Sequence, residues 1–230
     1  MATPPIEEVS AEALTFLRGV DSPTIANAIE PFKVRDRTDG YVGGRVRCLF
    51  PEMGPMVGYA LTVTMTSRPG PVASRDGYWR MWEALERMPA PSVLTIQDVS
   101  GAPTRCAHCG EVMATLARRL GAVGIVADGG VRDLEEVRAL GVHYFASHAI
   151  VSHGNSEILT IGDPIELDGQ IVRTGDLLHG DANGIVIVPP AVVDGLPAAV
   201  AEVRAKERET MEYVKGEGFS LAELRGRSGY

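Results

Sequence analysis

The sequence is short of cysteine, of long apolar runs and of positive charge, and each shortage removes a class of protein. Its three cysteines, Cys48, Cys106 and Cys109, are too few for the disulfide framework of a secreted scaffold and suit a reducing compartment. No apolar run is long enough to span a bilayer, so no membrane partner is expected. The opening MATPPIEEVSAEAL has neither a basic n-region nor an apolar h-region, which points to a cytoplasmic location. A formal net charge of -8 speaks against a nucleic-acid partner. There is no Walker sequence, Gly129-Gly130 makes no dinucleotide fingerprint, and no serine sits in a nucleophile elbow. Cys106-Ala107-His108-Cys109 lacks the second ligand pair that a structural zinc site takes, so packing and helix entry are its expected roles. With no repeat and no low-complexity tract, the 230 residues are expected to form one domain, 1–230.

What is present centres on Cys109 to Asp133, CGEVMATLARRLGAVGIVADGGVRD. From Gly110 it reads as a helix, with Val112, Leu116 and Leu120 on one face, Arg118 and Arg119 in the last turn, and Gly121 as the stop. Val123 to Ala127 is a short β-branched run, the pattern of a strand buried on both faces. Asp128-Gly129-Gly130 turns the chain, and Arg132-Asp133 opens a helix ending at Gly141. With Val93 to Gln97 before and Val142 to Ala146 after, the order is β-α-β-α-β, which predicts parallel strands with right-handed crossovers.

Around this core, Ser10 and Asp21 read as helix caps, and Tyr59 to Met65 alternates as a strand. Tyr78 to Met88 reads as a helix with Trp79, Trp82, Leu85 and Met88 as a packing stripe. Beyond Ile150 the chain turns β-rich: Asp168-Gly169 marks a hairpin and Gly184 to Val188 a further strand. Pro190 to Val214 is a long helix that Gly195 and Pro197 can divide. His179, beside Asp181, is assigned a structural role.

In an open α/β sheet, ligands lie beyond the carboxyl ends of parallel strands, where helix N-termini present free N–H groups. Glu111 and Arg132-Asp133 both occupy such ends, separated by residues 112–131. A carboxylate there holds a hard cation through oxygen, and an arginine beside it forks onto a carboxylate or keto acid. The plain alternative is that Asp133 caps its own helix and Arg132 pairs on the surface.

The acidic residue at 111, the interval 112–131 and the Arg132-Asp133 pair resemble the aldolase branch of the RraA-like family, class II pyruvate aldolases acting on 4-hydroxy-4-methyl-2-oxoglutarate and 4-carboxy-4-hydroxy-2-oxoadipate. TGDLLHGDANGIVIVP, Thr174 to Pro189, resembles the family's closing β motif. The resemblance implies an αββα sandwich with a central parallel β-α-β-α-β segment and a β-rich C-terminal half. It implies a lyase that cleaves a 4-hydroxy-2-oxo acid to pyruvate and a second carbonyl compound, with oxaloacetate decarboxylation as a side activity. Asp133 would ligate Mg²⁺ or Mn²⁺, and Arg132 would bind the pyruvate moiety and steady the enolate oxygen. Backbone amides of Cys109, Gly110, Glu111 and Val112 would hold the substrate carboxylate. Glu111, where the closer aldolases often have aspartate, would orient metal-bound water. The family assembles as homotrimers or hexamers, with an acidic residue of the neighbour assisting in some members; Glu202, Glu207 and Glu209 lie in that region here. Specificity would come from loops 68–78 and 98–108. The competing function is a non-catalytic regulator that binds a ribonuclease. An old methyltransferase label for relatives has no nucleoside-binding glycine loop to support it.

Overall fold

The structure is a computed structural model that describes residues 6–67, 70–71 and 74–227. Residues 68–69 and 72–73 of the first expected specificity loop lie outside the described residues.

The three apolar runs become the strands Ser92–Asp98, Ala122–Ala127 and His143–Ala146, paired in parallel in that order. The strand Met56–Thr66 joins them in parallel, with Tyr59 opposite Ser92 and Met65 opposite Asp98. The helices Asp76–Glu86, Glu111–Arg119 and Leu134–Leu140 follow the first three of these four strands. Antiparallel strands complete the sheet. Leu177–Asp181 pairs with the start of Met56–Thr66, Gly184–Val188 pairs with it in turn, and Tyr41–Val42 pairs with Gly184–Val188; Glu157–Ile161 pairs with the end of the long strand, and Arg47–Cys48 pairs with His143–Ala146. The result is a nine-stranded mixed sheet among the described residues, an α/β sandwich with flanking helices.

Alternation along the strands divides the core. Leu61, Val63, Leu94, Ile96, Ile125 and Tyr144 face the three crossover helices. Ala60, Val93, Val126 and Phe145 face the hairpin that carries Ile165, Leu167 and Val172. Burying each such Val, Leu or Ile is worth about 1.5–3 kcal/mol, which is why β-branched runs of this length settle in the middle of the sheet. The hairpin turns at Asp168 (φ 48°) and Gly169 (φ 83°), the two positive φ values its tight turn requires. The Pro190 to Val214 stretch does divide: a 3₁₀ segment, Pro190–Gly195, precedes the helix Leu196–Lys215.

The N-terminal helices Ala11–Arg18 and Ser22–Ile29 are capped by Ser10 and Asp21 as the sequence predicts. His179 ties them to the sheet. Its Nδ1 lies 2.9 Å from Ser22 Oγ, and its Nε2 lies 2.9 Å from the Leu17 carbonyl and 3.0 Å from that of Val20. Asp181 accepts from the Ser22 amide at 2.7 Å. This buried pair therefore belongs to the architecture.

Two apolar faces depart from expectation. On the Glu111–Arg119 helix the buried residues are Ala114 and Ala117, whereas Val112 is 83% exposed. Ala114 and Ala117 let the helix lie close to the sheet, Met113 and Leu120 pack at the edge of the core, and Val112 and Leu116 turn away from it. On the Asp76–Glu86 helix Met81 and Leu85 are fully buried, Trp82 and Met88 pack at the edge of the core, and Trp79 is 66% exposed. Trp79 therefore leaves the expected packing stripe.

Candidate functional site

Both departures open onto one cleft of about 630 Å³ at the carboxyl edge of the parallel strands. Glu111, Val112, Arg132 and Asp133 line it, with Cys109, Gly110 and Leu116. Facing them are Arg75 and Tyr78, from the 68–78 stretch expected to set specificity, and Trp79, Trp82 and His153, which the sequence did not connect with the site. Their signal was weak because an aromatic at helical spacing normally marks a core.

Asp133 is the geometric centre. Its backbone has φ 58° and ψ 48°, a left-handed conformation unusual for a residue with a side chain. It makes no side-chain cap on the Leu134–Leu140 helix that it precedes. Instead its Oδ2 accepts from the Glu111 amide at 2.8 Å, capping the neighbouring helix. Arg132 Nε lies 3.6 Å from the same oxygen, and both side chains are about a third exposed, at 35% and 36%. The Arg132 amide donates to the Cys109 carbonyl at 3.0 Å, which locks the two arms of the site together. Gly110 permits this approach: a Cβ there would overlap Asp133 Oδ2 and sit 2.9 Å from Arg132 Nε.

Of the backbone amides at Cys109, Gly110, Glu111 and Val112, that of Glu111 is thus engaged by Asp133. Burial pushes the Cys109 thiol up to about 12, so the side chain beneath the cleft floor stays protonated. Glu202, Glu207 and Glu209 are exposed on the Leu196–Lys215 helix.

A second cluster adjoins the cleft through His108, which also lines it. His108 Nε2 is 2.9 Å from Asp98 Oδ2, and both side chains are fully buried. Ser67 Oγ also donates to Asp98 Oδ2, and the Ser100 amide donates to Oδ1 at 2.7 Å. Burial works to raise the Asp98 carboxyl, but the hydrogen bonds from His108, Ser100 and Ser67 outweigh it and hold the group well below the usual carboxylate range. Gly129 seats the following turn against the imidazole and the Pro103 carbonyl, where a Cβ would overlap both. Ligand atoms of Asp98, Cys106 and His108 all lie within 4.8 Å of one another, so these three can hold a divalent cation. Cys106 and His108, which the sequence assigned to packing and helix entry, thus group with Asp98 as candidate ligands. An oxygen, nitrogen and sulfur set suits a borderline metal. A cation there would take the place of the Asp98–His108 hydrogen bond.

Asp128 completes the cluster, accepting from the Asp98 amide at 2.9 Å. Burial pushes its carboxyl up to about 6, against the lesser pull of that amide and of His108; Asp98 also raises it and Arg45 lowers it. The sign follows from linkage. Between about pH 4 and pH 6 the folded chain holds this proton more tightly than the unfolded chain, so the group's contribution to stability falls as pH rises through that window. Asp128→Asn keeps an acceptor for the Asp98 amide and removes the buried charge. We expect it to raise stability at pH 7.5 by about 1–2 kcal/mol, with the difference vanishing near pH 4. Urea midpoints at the two pH values test this, and a constant offset would contradict it.

The chain belongs to the RraA-like family, Aldolase/RraA, which matches residues 22–187. A Halalkalibacterium halodurans protein described as "Putative 4-hydroxy-4-methyl-2-oxoglutarate aldolase" is 31% identical over 130 residues, 54% of this chain and 61% of that one. An Arabidopsis thaliana protein, "Putative 4-hydroxy-4-methyl-2-oxoglutarate aldolase 3", is 33% identical over 93 residues, 38% of this chain and 53% of that one. The matched region thus spans less than two thirds of either relative. Among solved structures, an uncharacterized protein from Pseudomonas syringae pv. tomato superimposes with a TM-score of 0.73 at 21% identity, covering 99% of this chain and 100% of that one. Streptomyces coelicolor RraAS2, an unusual member of the RNase ES inhibitor RraA protein family, superimposes with a TM-score of 0.70 at 23% identity, covering 89% and 100%. These likenesses establish the αββα fold shared with the family.

Proposed function

We propose that the chain is a divalent-metal-dependent aldolase that cleaves a 4-hydroxy-2-oxo acid to pyruvate and a second carbonyl compound. The observation that carries this reading is the convergence of Arg132, Asp133 and the first turn of the Glu111–Arg119 helix in one cleft. The descriptions of the aldolase relatives support it.

The carboxylates of Asp133 and Glu111 are a hard oxygen donor set, which fits Mg²⁺ or Mn²⁺, with Asp133 as the direct ligand. When bound, the cation supplies a Lewis acid for the 2-oxo group. Arg132 presents N–H donors to the pyruvyl end of the substrate, and the adjoining backbone amides add further donors for its carboxylate. As the C3–C4 bond breaks, its electron pair moves onto C3, giving the pyruvate enolate, whose oxygen Arg132 stabilises. The C4 hydroxyl loses its proton, through water, towards Glu111 and becomes the second carbonyl. Protonation of C3 then yields pyruvate. Oxaloacetate loses CO₂ through the same enolate and is an expected side substrate. The reading also expects a homotrimer or hexamer in solution, which a mass measurement at micromolar concentration checks.

Pyruvate release should be followed over a panel of 4-hydroxy-2-oxo acids and oxaloacetate, with and without EDTA. Activity is expected to disappear on chelation and to return with Mg²⁺ or Mn²⁺. A cation that survives chelation and leaves only in Cys106→Ser would move the metal to the Asp98, Cys106 and His108 cluster. Failure of the folded protein on every acid would favour the ribonuclease-binding role.

A further inference from the structure

Two helices turn apolar side chains into the cleft. Trp79 and Trp82 come from Asp76–Glu86, and Val112 and Leu116 come from Glu111–Arg119. Neither set is there by slack packing. Gly77 presses against the Glu157–Ile161 strand so closely that a Cβ would lie 2.6 Å from the Ile158 carbonyl. Tyr78 donates its hydroxyl to Ser156 Oγ at 2.9 Å. The tryptophan-bearing helix is therefore fixed at its first turn, with Trp79 66% exposed beside the cleft. A pyruvyl unit at Arg132 and Asp133 fills only a small part of 630 Å³, and most of the cleft's surface is apolar, these four side chains contributing beside Arg75, His153 and Asn155.

We propose that the part of the substrate released as the second carbonyl compound bears an aryl or branched alkyl group, which packs against Trp79, Trp82, Val112 and Leu116. The inference rests on the aldolase reading and specifies its substrate class. A carboxylate against this wall would lose water without gaining a fixed cation, because Arg132 serves the pyruvyl end and Arg75 and His153 stand exposed at the rim. An aromatic ring gains both area and stacking from the indoles. The cleaved bond is still C3–C4; the electron pair passes to the pyruvate enolate, the C4 hydroxyl proton leaves, and an aldehyde or ketone carrying the apolar group departs.

The test uses the full chain with added Mn²⁺ and two readings. Deuterium exchange into the methyl group of pyruvate, followed by NMR, reports the pyruvyl half alone. Values of kcat/KM for 4-hydroxy-2-oxo-4-phenylbutanoate and for 4-hydroxy-4-methyl-2-oxoglutarate report the distal half. The phenyl substrate is expected to be preferred by about tenfold or more. Trp79→Ala should reduce that preference about tenfold, and Trp79→Arg should reverse it. Exchange together with a preference for the dicarboxylate, or with a preference that neither Trp79 variant shifts, overturns the inference and leaves the aldolase reading intact. A preference for the dicarboxylate that Arg75→Ala abolishes would place a distal carboxylate at the rim instead. Absence of exchange in the folded, metal-supplied protein overturns the aldolase reading and this inference with it.

Discussion

Arg132→Lys is expected to lower kcat for pyruvate release by roughly 10²–10³, the loss associated with one oxyanion donor. Lysine retains the charge but not the planar fork, and its shorter donor set cannot serve an enolate oxygen and a carboxylate together. The guanidinium is 35% exposed, so the melting temperature should stay within about 2 °C of the wild type. Asp133→Asn is the companion. Its carbonyl oxygen can still accept from the Glu111 amide, and asparagine tolerates the left-handed backbone, so the chain should fold. The lost charge should weaken Mn²⁺ binding and turnover together, which calorimetry and kinetics read separately. Wild-type pyruvate release in both variants would sink the aldolase assignment.

A methyl group at position 110 should be nearly as damaging. In Gly110→Ala the new Cβ overlaps Asp133 Oδ2 and crowds Arg132 Nε and Cγ. Every one of those atoms belongs to a side chain and none to the backbone, so the fold can yield. Yielding means that Asp133 leaves the Glu111 amide and Arg132 swings aside. A displacement on the order of 1 Å at a reacting centre costs roughly 100-fold in rate. The expected result is a cooperative melt close to the wild type with activity about 100-fold lower. Full activity in Gly110→Ala would show that the Asp133–Glu111 contact is not the catalytic geometry. Unfolding would show instead that the contact holds the fold, and calorimetry distinguishes the two.

The parallel core was legible because Val93 to Gln97, Val123 to Ala127 and Val142 to Ala146 are short runs dominated by apolar β-branched, leucine and aromatic residues, and a sheet covered on both sides accommodates them. Asp168-Gly169 was legible because that dipeptide supplies two positive φ values. The interval from Glu111 to Asp133 placed both at the ends of neighbouring strands, and the structure brings them within one hydrogen bond. Side-chain destinations were harder. Periodicity identified the apolar face with Val112 and Leu116 but not whether core or cleft lay beneath it, since both attract the same residues. The Asp98, His108 and Asp128 cluster escaped because its members meet only once the sheet is assembled. The available signal was that Asp98 ends one parallel strand and Asp128 directly follows the next.

The backbone of Asp133 also bears on how this protein can change over generations. A side chain in that conformation destabilises the chain by about 1 kcal/mol relative to glycine. Selection for a sturdier molecule therefore sets the backbone gain of glycine against the loss of the cap that the carboxylate gives the Glu111 amide, and a need for the carboxylate in chemistry adds to the second side. In a lineage that gave up the reaction that added weight disappears, while the fold keeps its sheet and its helices. The amino acid at this one place is then a marker for sorting relatives of the same shape: aspartate where chemistry is still being maintained, glycine or asparagine where it has been abandoned.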